Sequence, residues 1–369
     1  MDREKGFSFF RCLPLILGFL LCITGIANAQ SIKWHFQTWQ APVTVTSVSE
    51  KAWYEELMRR SKGRIEVKFT WSGALADAKQ TPDFIARNVF QSGLFFAHYR
   101  AEALPVSRAA DLPFLTENGM SLAKAIWGLS KSFEPVRKEF EKNGFKLLFP
   151  IISLEGAALP CNQPWKSIDE LKGKKIRALG GHAAVIKAWG AVPVEMQFVD
   201  TPQALERGVI DSMTALWFIT FENMKYHDIV KYAIFCGERF SGSGFDIVNL
   251  KFYNSLPADI KKIVDEMCED GVKIFYSAYE KYLDDSIRKL AQTKLKVIEW
   301  TPSEKERGKK VGLPGAEKIY FDEMKERGVE KDAREYYKLL KEKCAFYDKE
   351  VKTFSGAELI EAFRKGLKK

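Results

Sequence analysis

Residues on which many enzymes depend are scarce in this sequence. Its only histidines are His35, His98, His182 and His227, and no two of them are four positions apart, as a metal site on one helix face would require. The G-x-S-x-G elbow of many hydrolases is absent, since position 241, two residues before Ser243, is not glycine. The Walker and G-x-G-x-x-G phosphate-binding loops are absent as well. We therefore predict no catalytic residue, no cofactor and no metal. A periplasmic enzyme stays open as an alternative, because catalytic groups can be assembled from distant residues.

Long apolar runs are absent beyond residue 29. Before that point, a basic start is followed by the apolar run Cys12–Ile26 and by Ala27-Asn28-Ala29. This pattern is typical of a cleaved signal peptide, with cleavage before Gln30. A retained anchor is the alternative, but the run is shorter than the roughly 20 residues that span a bilayer. We expect residues 1–29 to be removed and the mature chain to be periplasmic.

Cysteine is also sparse, and two of the six lie in the predicted signal peptide. The other four, Cys161, Cys236, Cys268 and Cys344, are far apart and form no C-x-x-C motif. An oxidising periplasm permits disulfides, and four cysteines allow three pairings. Buried free thiols are an equally good interpretation.

Charge of one sign does not form long runs in this chain. The formal net charge is +9, but the basic residues alternate with acidic ones, as in DEMKERGVEKDAREYYK at 322–338. Interspersed charges are typical of solvated helix faces. We therefore expect no nucleic-acid partner, and the positive balance gives mild electrostatic support for an anionic ligand.

The pattern of apolar residues predicts an α/β fold. Strands are expected at Ile32–Gln37, 64–70 and 93–97, with helices at 47–61 and around 81–88. This alternation favours a mainly parallel sheet covered by helices on both faces. A helix over 121–142 and a strand over 145–152 should follow.

A second α/β unit then begins, with a short helix at 165–173 closed by Gly173. The next expected elements are strands at 175–179 and 193–196 and helices at 181–189 and 200–207. A strand at 245–250 returns to the first unit.

Apolar spacing continues from Ala258 to about Lys294 without a proline. It predicts one helix of about 55 Å, long enough to brace two lobes. We expect two lobes with a cleft between them. The first contains residues 30–153 and 241–280, and the second contains 154–240 and 281–369, including charged C-terminal helices.

Five motifs in a fixed order carry the most specific signal. They are SKGRIEV at 61–67, DLPFL at 111–115, WKSIDELKGKKIR at 165–177, WGAVPVEM at 189–196 and TPQALERGVID at 201–211. With the signal peptide and the long helix, they closely resemble the DctP-type solute receptors of TRAP transporters. The resemblance covers most of residues 31–300 and implies a periplasmic binding-protein fold, a small organic-acid ligand and membrane permease subunits as partners.

The resemblance implies that Arg177, at the end of a strand, grips the carboxylate of the ligand. A guanidinium is a planar fork of N–H donors that matches a carboxylate and stays charged when buried. A surface arginine in a lysine-rich cluster is the alternative. Gln37, His98, Phe198 and Trp217 match other ligand-contacting segments, and Trp39 and His182 are further candidates. A structural histidine and a core phenylalanine are the alternatives for His98 and Phe198.

The sialic-acid branch of the family differs at several aligned positions. Here 155–159 lack its second arginine, and Ala215 and His98 replace its asparagine and glutamate. We therefore expect a mono- or dicarboxylate and favour a monocarboxylate, including aromatic, hydroxy or keto acids. A chemosensory binding module with the same fold is a further alternative.

Overall fold

A computed structural model describes residues 31–116, 118–152, 157–214, 216–237, 243–351, 361 and 365. The predicted signal peptide lies outside these residues. So do Ala215 and residues 155 and 156 of the 155–159 segment. No helix in the described part of the chain is long and apolar enough to cross a membrane.

Twelve strands are present in the described residues. They are β1 Ile32–Gln37, β2 Ile65–Thr70, β3 Ser92–Phe96, β4 Phe145–Ile151, β5 Ala157–Cys161, β6 Lys175–Arg177, β7 Val192–Val194, β8 Ser212–Met213, β9 Leu216–Trp217, β10 Tyr232–Phe235, β11 Gly244–Asn249 and β12 Lys296–Glu299.

Thirteen α-helices lie in the same residues, with 3₁₀ turns between some of them. They are α1 Val45–Arg60, α2 Thr81–Ala86, α3 Gly119–Ser132, α4 Glu134–Lys142, α5 Gly180–Ala188, α6 Thr201–Glu206, α7 Thr220–Asn223, α8 Tyr226–Ile229, α9 Leu250–Ser255, α10 Ala258–Glu269, α11 Gly271–Leu290, α12 Pro302–Glu326 and α13 Glu330–Tyr347.

The first lobe is built on a five-stranded sheet in the order β2-β1-β3-β11-β4. The N-terminal strands pair in parallel, as the alternation of strands and helices predicts. The returning strand β11 lies between β3 and β4 and is antiparallel to both. The sheet is therefore mixed, and an interior position, the fourth of five, is occupied by a strand from late in the chain.

The second lobe contains a four-stranded sheet, β12-β10-β5-β9, and a three-stranded sheet, β7-β6-β8. In the smaller sheet β6 pairs in parallel with β7 and β8. Parallel pairing brings the carboxyl ends of these strands to one edge, where ligands of open α/β sheets bind. Arg177 is the last residue of β6.

Two helix predictions were wrong in their continuity. The segment 121–142 forms two helices that meet at Phe133, because Pro135 has no N–H to donate to the Lys131 carbonyl and its ring would clash with that carbonyl in a continuous helix. The segment 258–294 also forms two helices, α10 and α11, which end and begin around Asp270. The 20-residue α11 is about 30 Å long.

Helix α11 nevertheless contacts both lobes. Near its start, Tyr276 donates a hydrogen bond of 2.8 Å to the carbonyl of Ile152 in the first lobe. Near its end, Ser286 donates to the Glu222 carboxylate of the second lobe over 3.1 Å. A helix therefore braces both lobes, as predicted, but it is the 20-residue α11 and not a single helix over 258–294.

Helix α12 also joins the lobes, with Pro314 in its interior. Before this proline, the carbonyl of Gly308 accepts a 2.9 Å hydrogen bond from Trp189 of the second lobe. After it, the Tyr320 hydroxyl donates to the Pro105 carbonyl of the first lobe over 2.9 Å. The two halves are thus anchored on different lobes.

Helix α13 packs against α3 of the first lobe, where the Tyr336 ring stacks on Phe133 at 5.8 Å between centroids. The sequence-based division assigned residues 281–369 to the second lobe, and this packing differs from it. We therefore propose that α13 be counted with the first lobe.

All four described cysteines are buried, and none of them is in a disulfide. Of the two open interpretations, the structure has buried thiols, and none of the three disulfide pairings is present among them.

Candidate functional site

A cavity of about 70 Å³ lies where the strand ends of the two lobes face each other. The first lobe contributes residues that follow β1 and β3, and the second contributes residues from β6, from the turn after β7 and from β9. The lining residues are Trp39, Gln40, Thr44, Val45, Thr46, Phe96, His98, Tyr99, Arg177, Phe198, Trp217, Thr220 and Met224. Five of the seven residues expected at a ligand site, Trp39, His98, Arg177, Phe198 and Trp217, line this one cavity.

Arg177 is held in place by hydrogen bonds of its backbone and of its side chain. Its carbonyl accepts a 2.8 Å hydrogen bond from the Thr214 amide, and its Nε donates to the Met196 carbonyl over 3.2 Å. The residue is only 3% exposed, and no described carboxylate forms an ion pair with it. The cavity therefore contains a buried positive charge that the described residues do not neutralise.

Two buried N–H groups of the lining residues have no acceptor among the described residues. They are Nη2 of Arg177, from the second lobe, and Nε1 of Trp39, from the first. A buried donor without a partner costs roughly 1–3 kcal/mol. Because both groups donate, an acceptor such as a carboxylate would satisfy them.

Both histidines near Arg177 are neutral at physiological pH. Burial lowers the pKa of His98 well below its usual value, and the nearby Arg177, His182 and Arg108 lower it further. Burial, with Arg177, also lowers the pKa of His182 to about 3. Protonation of either ring would add charge beside an existing cation, so the site has one positive charge and not three.

Aromatic side chains contribute to the cavity wall from both lobes. Trp39 contacts Phe96 and Tyr99 edge-on, with centroid distances of 6.1 and 5.6 Å. Phe198 is partly exposed and belongs to the 3₁₀ turn after β7, while Trp217 is 8% exposed and packs near Tyr279. The two groups of rings come from opposite lobes and line the same cavity.

Gln37 and His182 lie elsewhere. Gln37 is fully buried at the end of β1, and neither atom of its amide has a described hydrogen-bond partner. His182 lines a second cavity, which His98 also borders. Their predicted contact with a ligand stays a prediction.

Several lining residues were not predicted from the sequence, among them Gln40, Tyr99 and Met224. Tyr99 follows His98 directly, so a signal for it was present in the same segment. Met224 lies after α7 in a region without a motif, and only the folded chain brings it to the cavity. In the described residues no group of histidine, cysteine or carboxylate side chains is arranged to hold a metal ion.

The chain is similar to known proteins over most of its length. The sequence pattern of bacterial extracellular solute-binding protein, family 7 (DctP), matches residues 37–323. The 2,3-diketo-L-gulonate-binding periplasmic protein YiaO of Escherichia coli (strain K12) is 22% identical over 300 residues, which are 74% of this chain and 89% of that protein.

Two crystal structures share the fold. One is a TRAP solute binding protein from Rhodoferax ferrireducens T118 in complex with copurified benzoate, with a TM-score of 0.77 and 20% identity over 86% of this chain and 99% of that one. The other is a marine metagenome TRAP solute binding protein specific for aromatic acid ligands, with co-crystallised 3-hydroxybenzoate and the same score, identity and coverage. These matches confirm the expected two-lobe architecture.

Proposed function

Because this chain belongs to the DctP family of bacterial extracellular solute-binding proteins, we propose that it binds a small organic acid and delivers it to the permease of a TRAP transporter. The family consists of solute-binding proteins, which confirms the expectation of a binding protein and not an enzyme. The proposal includes export by the predicted signal peptide and release into the periplasm.

The observation that carries the proposal is the uncompensated charge of Arg177 in an aromatic cavity. A buried guanidinium without a described carboxylate partner is costly unless a ligand supplies the negative charge. A carboxylate can accept from Nη2 of Arg177 and, with the same or its second oxygen, from Nε1 of Trp39. An aligned arginine–carboxylate pair is among the stronger hydrogen-bonded contacts in proteins.

The charge of the site favours one carboxylate over two. With His98 and His182 neutral, Arg177 is the one cationic side chain that lines the described cavity. A second carboxylate would be desolvated without a cation to compensate it. We infer a monocarboxylate.

The walls favour an aromatic body. Trp39, Phe96 and Tyr99 on one side and Phe198 and Trp217 on the other present ring faces and edges, and the cavity surface is mainly apolar, which suits an aromatic body better than a sugar acid. The benzoate and 3-hydroxybenzoate complexes of the two structural relatives agree with this ligand class. A polyhydroxy acid, as the name of YiaO implies for that protein, is the second ligand class to test.

The transport role follows from where the contacts originate. Trp39 and His98 belong to the first lobe, and Arg177, Phe198 and Trp217 belong to the second. A ligand that contacts both lobes stabilises the closed arrangement over the open one by its differential affinity. The permease would then recognise the closed form.

Native mass spectrometry of the purified mature protein, followed by titration calorimetry with benzoate, 3-hydroxybenzoate, succinate and glucuronate, tests this function. We expect an aromatic monocarboxylate to bind more tightly than the dicarboxylate and the sugar acid. Arg177→Ala should reduce its affinity by about 100-fold or more, since truncating one partner of a buried charge pair costs about 2–5 kcal/mol.

Arg207→Ala is the matched control, because Arg207 lies in the same lobe but is exposed. Equal affinity losses in the two variants would contradict a specific role for Arg177. Failure of every acid to bind the wild-type protein would overturn the proposed function.

A further inference from the structure

A second cavity adjoins the first and has a volume of about 120 Å³. The first lobe lines it with His98, Arg108, Asp111 and Leu112. The start of α5, Gly180 to His182, lines it from the second lobe, and Ala316, Ile319, Tyr320 and Glu323 of α12 complete it. His98 borders both cavities, so the two are neighbours, and Arg177 lines only the first of them.

Most polar groups around this cavity already have partners. Arg108 forms an ion pair of 2.8 Å with Glu323, which also accepts a 3.0 Å hydrogen bond from Arg327. The Tyr320 hydroxyl contacts two backbone carbonyls, at 2.9 and 3.1 Å. These groups form a polar wall without needing a ligand.

Asp111 differs from these polar groups because one of its two carboxylate oxygens lacks a hydrogen-bond partner among the described residues. Its Oδ1 accepts hydrogen bonds from both the amide and the hydroxyl of Ser243, whereas its buried Oδ2 has no partner among the described residues. The residue is 9% exposed. A buried carboxylate oxygen is an acceptor, so the group that it lacks is a hydrogen-bond donor.

We propose that this second cavity binds the far end of the ligand, and that the ligand therefore carries a hydrogen-bond donor, such as a hydroxyl group, opposite its carboxylate. The inference rests on the proposed function, because it takes the carboxylate of the same ligand to lie at Arg177. The donor bonds to Oδ2 of Asp111, and the body of the ligand passes His98.

Calorimetry with matched pairs of acids tests this subsite. Each pair has a hydroxyl group in one member and a methoxy group in the other, which keeps the acceptor oxygen but removes the donor. The pairs are 4-hydroxybenzoate, (4-hydroxyphenyl)acetate and 3-(4-hydroxyphenyl)propionate with their methoxy analogues, so that three lengths are sampled. We expect at least one hydroxy acid to bind about tenfold or more tightly than its partner, the effect of one hydrogen bond to a charged group.

Asp111→Asn is the diagnostic variant. Its amide oxygen can still accept from Ser243, which leaves the NH₂ group where Oδ2 was and turns an acceptor into a donor. The preference for hydroxy over methoxy acids should disappear or reverse, while the affinity for unsubstituted benzoate stays unchanged. That unchanged affinity also reports that the variant is folded.

Gly181→Ala provides an independent steric test. A Cβ at this position would lie 3.5 Å from Pro113 and 3.9 Å from Ala316, which are ordinary contacts, so the fold tolerates it while the cavity narrows. The longest hydroxy acid that binds the wild type should lose affinity, and benzoate should not.

The proposed subsite is overturned if the wild-type protein binds the hydroxy and methoxy acids of every pair with equal affinity. It is also overturned if Asp111→Asn keeps the wild-type preference for the hydroxy acid. The loss of benzoate binding in Arg177→Ala would still stand in that case, so failure of the subsite is distinguishable from failure of the proposed function.

Discussion

Glu50 and Asp246 place two carboxyl groups in the interior of the first lobe, and both residues are fully buried. The Tyr54 hydroxyl donates to Oδ1 of Asp246 over 2.8 Å. Both oxygens of Glu50 and Oδ2 of Asp246 have no hydrogen-bond partner among the described residues. Burial raises the pKa of both groups, and the neighbouring Asp246 raises the pKa of Glu50 further. The fold therefore favours the protonated form of this pair.

These raised pKa values predict a protein that is more stable in mild acid. In the unfolded chain the two groups ionise near pH 4, whereas in the folded chain they hold their protons to higher pH. The stability that protonation provides is complete below pH 4 and is lost as the pH rises through the folded-state pKa values. Each unit of pKa elevation corresponds to about 1.4 kcal/mol.

Thermal unfolding at pH 5 and pH 8 measures the effect. Asp246→Asn should lose less stability than the wild type between these two values, because it cannot ionise. The exposed Asp284→Asn should behave as the wild type. Parallel pH profiles for wild type and Asp246→Asn would show that the pair does not control this dependence.

The buried cysteines give a second prediction for individual residues. Burial raises the pKa of the Cys161 and Cys268 thiols to about 12, so the reactive thiolate is scarce. Without reductant, a thiol reagent should label none of the four mature cysteines quickly in the native protein and all four in denaturant. Recovery of only two thiols in denaturant would reveal a disulfide.

Arg177 could be selected from the sequence because a guanidinium at a strand end in a matching motif has a specific chemistry. Nε1 of Trp39 and Oδ2 of Asp111 could not be selected from the sequence, since a polar group without a hydrogen-bond partner can be recognised only when its surroundings are known. The DLPFL motif includes Asp111, but the pattern indicates only that the segment belongs to the family. Neutral histidines likewise follow from burial and not from residue type.

At the scale of elements, helix α11 begins with a glycine for a steric reason. A Cβ on Gly271 would lie 2.8 Å from Cβ of Phe149 and 3.4 Å from the Trp53 indole. The helix therefore approaches β4 more closely than any other residue type would allow. Periodicity in the sequence predicted helix on both sides of this position but neither the break at Asp270 nor the close contact with Phe149, which is visible only in the folded chain.

Gly271→Ala should lower the free energy of unfolding by about 1–3 kcal/mol, the range for overpacking a close contact. Urea denaturation at constant m value measures it. Gly128→Ala is the matched control, because Gly128 is also helical but a Cβ there would meet nothing within 4 Å. That variant should be as stable as the wild type or slightly more so. A wild-type midpoint for Gly271→Ala would contradict the close-contact explanation.

At the scale of the whole molecule, the ligand cavity, α11 and α12 connect the two lobes, and Pro314 separates the anchored halves of α12. The two-lobe architecture could be predicted from the order of strands and helices. The position of α13 could not, because a charged amphipathic helix carries no signal for which lobe covers its apolar face.

An acid that binds between the lobes should both stabilise and compact the protein. At a concentration 100 times its Kd, a ligand adds about 2.7 kcal/mol to the free energy of unfolding. We expect a higher melting temperature together with a smaller radius of gyration by small-angle X-ray scattering, and neither change in Arg177→Ala. A rise in melting temperature with an unchanged radius would indicate binding without closure.

The position of β11 also has a consequence for the order in which the chain can fold. Its residues 244–249 lie between β3 and β4, so the first sheet stays incomplete until two thirds of the polypeptide is available. Pairings between such distant segments form slowly, since a long loop must close before they are made. A nascent chain therefore lacks a complete first lobe for most of its synthesis, which would suit the export of an unfolded chain that the predicted signal peptide implies.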